Sequence, residues 1–247
     1  MILCVGIGNT NIKCAAGMPG SYAQAEVITE DMCCGSHFMD FIAGQFGASI
    51  WDDLRGCIIS SVVPQKKQIV SEALRKQGQP VQHISLAECG GVDFSGYKSK
   101  LGEDRAVCCA EAAAKHGAPL IIIDFGTATT VNIIDGGRAF LGGLIMPGVQ
   151  TGLDALSKKT AQLPLVDSFS GARLIGGDTR GCIVSGAVFG AACMLESYIR
   201  RVGLQLDIAP PVIITGGGAP EVLPFLSFDF THTPSLLIDG LFSLCKI

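Results

Sequence analysis

A chain of 247 residues, 48% hydrophobic and 16% charged, can bury a large core, as one big domain or as two of about 120 residues each. A net charge of −4 and the lack of any Lys/Arg run argue against broad nucleic-acid or anionic-membrane binding and favour a small-molecule ligand. Eleven cysteines, an odd number without C-x-x-C spacing, argue against a disulfide or zinc framework and for reduced thiols packed as small hydrophobes. The first residues, Met1 to Gly8, lack the basic stretch and cleavage site of a leader, and no apolar run reaches spanning length. The expected location is cytoplasmic.

In chain order, the pattern predicts strands at residues 1–8, 11–17 and 22–28 and a short helix near 36–46. A strand at 56–63 ends at Pro64, an amphipathic helix follows over 66–77 with Ile69, Val70, Ala73 and Leu74 apolar, and another strand lies at 81–84. The loop 90–100 carries one conspicuous aromatic, Tyr97. Residues 101–116 read as a helix with Glu103 and Asp104 in its first turn and Lys115 and His116 in its last, an order that complements the helix dipole. From Pro119 the pattern begins again. Strands are expected at 120–124, 129–134 and 138–146, helical material after Pro147, a long helix at 179–201 and a strand at 212–215. A three-strand meander followed by alternating helices and strands, written twice, predicts an α/β protein of two halves, 1–117 and 118–247.

The sharpest features form a pair. Cys4-Val5-Gly6-Ile7-Gly8-Asn9-Thr10-Asn11 and Ile122-Ile123-Asp124-Phe125-Gly126-Thr127-Ala128-Thr129 each pass from an apolar strand through glycine into hydroxyl and amide side chains. Such a hairpin offers backbone N–H groups and small polar side chains to phosphate oxygens, and Lys13 adds a point charge. An Asn-rich hairpin turn accounts for the first copy equally well. Gly6 corresponds to Asp124, and a carboxylate in so apolar a strand needs a cation or donors nearby. Gly216-Gly217-Gly218 after the strand at 212–215 looks like a further close backbone approach, suited to adenosine or its phosphates.

In order along the chain stand G-N-T-N-I-K at 8–13, S-S-V-V-P at 60–64, L-G-E-D-R at 101–105, D-F-G-T-A-T-T at 124–130, G-G-L-I-M-P-G at 142–148, A-Q-L-P at 161–164, I-G-G-D-T at 175–179, S-G at 185–186 and T-G-G at 215–217. This series resembles the type III pantothenate kinases almost end to end. The resemblance implies the architecture shared by acetate kinase, the sugar kinases and actin: two tandem ribonuclease-H-like (actin-like ATPase) domains with a nucleotide cleft between them. It implies ATP-dependent phosphorylation of pantothenate, the first step of coenzyme A biosynthesis, by a cytoplasmic homodimer. Mg2+ would accompany ATP, with K+ or NH4+ as a monovalent cation, and neither nucleic acid nor membrane is implied as a partner. By the same resemblance, ATP is expected at Gly6, Ile7, Gly8, Asn9, Thr10, Asn11, Ile12, Lys13 and Thr127. Pantothenate is expected at Tyr97, Gly102, Glu103, Asp104, Arg105 and Thr179, with Asp104 accepting the proton of the substrate hydroxyl and Thr179 reaching across a dimer interface. Asp124 is the expected monovalent-cation ligand.

The chain departs from the family pattern in telling places. Gly6 stands where the family has aspartate, which removes a carboxylate that helps to position metal and phosphates. Loss of one such group can lower a rate by orders of magnitude. Asp178 replaces a usual asparagine, the loop 97–101 is short and lacks a proline, and Glu103 sets a negative charge beside a substrate that is itself a carboxylate. Since phosphoryl transfer depends mostly on positioning and charge neutralisation, Gly6 opens a second reading: a catalytically impaired member that binds nucleotide or regulates.

Overall fold

The computed structural model describes residues 1–247. Its elements run β1 (Ile2–Ile7), β2 (Asn11–Met18), β3 (Ser21–Ile28), α1 (Gly35–Phe46), α2 (Ile50–Asp53), β4 (Gly56–Ser61), α3 (Pro64–Lys76), β5 (Val81–His83) and α4 (Glu103–His116). They continue with β6 (Leu120–Phe125), β7 (Ala128–Ile134), β8 (Phe140–Pro147), α5 (Val149–Lys159), α6 (Thr179–Leu206), β9 (Val212–Thr215), α7 (Ala219–Val222), β10 (Thr231–His232) and α8 (Leu236–Leu244). Two compact units result: Met1–Gly117 with Arg138–Phe140 and Ser235–Ile247, and Ala118–Gly137 with Leu141–Pro234. The end of the chain, read from sequence as part of the second half, therefore packs with the first.

Each unit is built on one five-stranded sheet. The first has the order β3-β2-β1-β4-β5, with β1 antiparallel to β2, β2 antiparallel to β3, and β1, β4 and β5 mutually parallel. The second has the order β8-β7-β6-β9-β10, with β6 antiparallel to β7 and parallel to β9, and β9 parallel to β10. The strand order is the same in both. Central strands buried on both faces need continuous apolar runs rather than alternation, which is why β1 and β6 are the most apolar strands of their sheets.

In the first unit, Leu3, Val5 and Ile7 of β1 pack with Phe38 and Ile42 of α1 and Val70 and Leu74 of α3. Alternation sends Cys4 and Gly6 to the opposite face, which α8 covers. Helix α4 presents the small buried residues Ala106, Cys108, Cys109, Ala110, Ala112 and Ala113. Tyr22 donates its hydroxyl hydrogen bond to Asp239, and Lys115 Nζ reaches Asp239 Oδ2 at 2.8 Å, so α8 is tied to both β3 and α4. In the second unit, Ile121, Ile123 and Phe125 of β6 and Val131 and Ile133 of β7 pack with Ala191, Ala192, Leu195 and Val202 of α6.

Several boundaries differ from the sequence reading. The helix expected from 101 begins at Glu103 because Gly102 is its extended N-cap residue. The strand expected from 138 begins at Phe140, since Arg138 turns the chain with φ 67. The reading that nothing reaches spanning length is corrected at α6, whose 28 residues are long and apolar enough to cross a membrane by length and composition. Its buried Val184, Val188, Ala191, Ala192 and Leu195 recur at helical spacing and form part of the unit's own core. None of the eleven cysteines is in a disulfide, and six of them are buried.

Candidate active site

The first hairpin is held in register with Gly6 opposite Lys13 and Ile7 opposite Ile12. Its turn closes by Gly8 N donating to Asn11 O at 2.9 Å, and Thr29 braces it from outside, N to Thr10 O and Oγ1 to Gly8 O, each at 2.8 Å. Asn11 Nδ2 donates to Glu26. Asn9 and Thr10 are thereby left exposed at the tip of a fixed turn. In the second unit, Asp124 lies opposite Thr130 and Phe125 opposite Thr129. Thr127, at that hairpin's tip, offers its carbonyl to Gly148 N at 2.9 Å and to Thr151 Oγ1 at 2.7 Å at the start of α5. Gly6 and Asp124 are each the last but one residue of their strand, so the two hairpins correspond as the sequence repeat implies.

Helix α8 explains what has become of position 6. A Cβ placed on Gly6 would lie 2.8 Å from Leu237 Cδ2 and 3.6 Å from Leu237 Cγ, so that leucine occupies the room a side chain would need. Ser60, registered with Gly6 on β4, is 1% exposed, and its hydroxyl has no hydrogen-bond partner.

The end of β4 brings the hairpin and the start of α4 together. Val62 N donates to Ile7 O at 3.1 Å, and Ser61 N donates to Glu103 Oε2 at 2.9 Å. Lys67 Nζ meets Glu103 Oε1 at 2.6 Å, so the negative charge that set this chain apart is neutralised by α3 and braces the helix start. Burial pushes the Asp104 carboxyl above the ordinary aspartate value, opposed by the Arg105 backbone N–H, which donates to Asp104 Oδ1 at 2.7 Å. Gly102 leaves room for that carboxylate: a Cβ there would stand 2.6 Å from Asp104 Oδ1. The Arg105 guanidinium carbon lies 5.9 Å from the Tyr97 ring centroid and 5.7 Å from that of Phe140. Tyr97 thus lies beside Arg105 at the start of α4. Phe140 was missed, and no local signal marks it.

In the second unit, Asp124 faces away from the Ile121–Ile123–Phe125 core, on the side of Thr130, Asn132 and Thr215. Those three are buried, and Asn132 Nδ2 donates to Thr130 Oγ1 at 3.2 Å. A carboxylate among hydroxyl and amide oxygens is a donor set suited to a hard cation. The Gly216-Gly217-Gly218 run serves this strand rather than standing free: Gly216 has φ 96, a Cβ there would lie 2.4 Å from Asp124 Oδ1, and Gly218 N donates to Phe125 O at 2.8 Å. Thr179 is the exposed first residue of α6. Asp178 caps that helix by accepting from Gly181 N at 2.6 Å, a task aspartate and asparagine perform about equally. No group of three His, Cys, Asp or Glu side chains is arranged to hold a metal ion. With glycine at position 6, a divalent metal would be held mainly by the phosphates it accompanies.

The sequence profile for type III pantothenate kinase matches residues 2–201. A type III pantothenate kinase of Desulfosudis oleivorans is 31% identical over 98% of this chain and 97% of its own length. A Baf family protein of Campylobacter jejuni is similar in structure, with a TM-score of 0.62 at 20% identity, covering 98% of this chain and 96% of that one. The activator of 2-hydroxyisocaproyl-CoA dehydratase from Clostridium difficile, solved with ADPNP, gives 0.54 at 14% identity over 98% and 92%. The fold is that of the actin-like ATPases, two ribonuclease-H-like units each with the strand order described above. Sequence and fold agree along the chain, which belongs to the type III pantothenate kinase family.

Proposed function

We propose that the protein phosphorylates pantothenate with ATP, the first step of coenzyme A biosynthesis, and that it turns over slowly for its family. The observation that carries this reading is the start of α4, where Asp104 accepts from the Arg105 backbone N–H and the Arg105 guanidinium lies against the Tyr97 and Phe140 rings. In this reading the hairpin Gly6 to Lys13 and Thr127 receive the phosphates. Asp104 orients the substrate hydroxyl and accepts its proton, and Arg105 takes the pantothenate carboxylate. A carboxyl whose proton affinity is raised by burial is a better proton acceptor than an exposed one. Tyr97, Gly102 and Thr179 complete the pantothenate site, and Glu103, its charge met by Lys67, holds the helix start in place.

Mg2+ enters on the phosphates, and K+ or NH4+ sits at Asp124 with Thr130, Asn132 and Thr215 as oxygen-bearing neighbours. The protein works as a cytoplasmic homodimer. In support of the dimer, Ile175 is 83% exposed just before Thr179, Leu174 is exposed beside it, and α6 leaves the small residues Cys182, Gly186, Gly190 and Cys193 uncovered along one face. A second reading, a nucleotide-binding or regulatory protein without turnover, is favoured by one observation: Leu237 fills the place of the missing carboxylate. ADP release by the purified protein, with and without pantothenate, separates the two. Release that depends on pantothenate supports the kinase, and ATP binding without such release supports the second reading.

A further inference from the structure

We infer that Phe140 is a positioning residue for the carboxylate of the substrate, acting through Arg105; the inference rests on the reading of Arg105 as the carboxylate-binding group. Phe140 and Tyr97 meet edge to face, with centroids 5.3 Å apart and planes at 76°, and the Arg105 guanidinium lies within 6 Å of both, a range in which a ring face attracts a cation. Phe94 backs Phe140 from behind at 5.5 Å. Phe140 is 3% exposed, so the ring serves this corner and offers little to solvent.

The backbone is arranged to deliver it. Arg138–Phe140 belongs to the first unit although the residues on either side belong to the second. Asp93 N donates to Arg138 O at 2.8 Å, Phe140 N donates to Asp93 O at 2.9 Å, and the Arg138 side chain donates to Gly91 O at 3.1 Å. The chain turns at Arg138 with positive φ, unusual for a residue with a side chain. A three-residue excursion with its own hydrogen bonds thus places one aromatic ring against Arg105.

An arginine that samples many rotamers must be ordered at every binding event, whereas a guanidinium held against two rings is ordered beforehand. A guanidinium presents its N–H groups in a planar fork that matches a carboxylate in a paired contact. Phe140 should therefore govern affinity for pantothenate rather than the transfer step.

The test is isothermal titration of pantothenate and, separately, of ATP, on the unaltered protein and on Phe140→Leu, Phe140→Met and Phe140→Tyr, with melting temperatures and kcat and KM. Loss of the ring should weaken pantothenate binding about tenfold, raise KM by a like factor and leave kcat and the ATP affinity within about twofold, with Phe140→Tyr restoring the unaltered values. Phe140→Met keeps apolar volume without a ring face and should show the same weakening, so it carries the test if the leucine variant fails to fold. Pantothenate affinity retained in either ringless variant overturns the inference, as does equal weakening of ATP. No pantothenate binding by the unaltered protein overturns the kinase reading, and this inference with it.

Discussion

Restoring the missing carboxylate is a question of room as much as of charge. In Gly6→Asp the new Cβ would start 2.8 Å from Leu237 Cδ2, closer than packed carbon atoms tolerate, and such overpacking typically costs about 1–3 kcal/mol. Leu237 is only half-buried and the contact is at the end of its side chain, so it can swing aside, at the expense of α8 packing. A tenfold gain in turnover corresponds to about 1.4 kcal/mol of transition-state stabilisation, comparable with that strain. The single substitution is therefore expected to lower the melting temperature and to give less activity than Gly6→Asp with Leu237→Ala. The double variant opens the space and lets the unpartnered Ser60 hydroxyl serve the new carboxylate. Turnover at saturating ATP, Mg2+ and pantothenate, measured beside calorimetric melting, should show at least tenfold higher kcat for the double variant than for the natural protein. Two results would refute the reasoning: a double variant that binds ATP yet is as slow as its parent, or a natural protein already turning over at about 10 s⁻¹ like a median enzyme. Either would mean that another group positions metal and phosphates.

Further predictions concern the two other carboxylates. Asp104→Asn should abolish phosphoryl transfer yet raise the melting temperature at neutral pH. The Asp104 proton affinity is raised in the fold, so its ionised form costs stability that is regained as pH falls through the folded pKa. The difference in melting temperature between parent and variant should accordingly shrink on acidification, and a pH-independent difference would contradict the burial argument. At Asp124, the rate should rise with K+, and Asp124→Asn should remove that dependence. Equal rates in K+ and in a bulky organic cation would count against a cation there.

The repeated half was legible because β1 and β6 are central strands with apolar runs, interrupted near their ends by Gly6 and Asp124, and end in similar turns. The L-G-E-D-R run was legible as a helix start for the same local reason, its acidic first turn. What sequence could not show is contact between distant segments. Glu103 looked like a charge in conflict with the substrate because its partner Lys67 lies a whole element upstream. Phe140 comes just after an ordinary Gly-Gly-Arg turn, and only the bridge between Asp93 and Ala139 reveals that it packs with the first unit. Leu237 sits in an apolar terminal helix that could have packed on either half, and its position over Gly6 depends on the contacts of α8 with β3 and α4.

The central claim is that this chain, despite Gly6, transfers phosphate from ATP to pantothenate by way of Asp104. Its most direct test is transfer of labelled γ-phosphate to pantothenate by the purified protein and by Asp104→Asn, followed by mass spectrometry of the product. The account predicts slow but continuous formation of phosphopantothenate by the natural protein and none by the variant. No labelled product from a natural protein that binds both ATP and pantothenate, or equal product from Asp104→Asn, would contradict it.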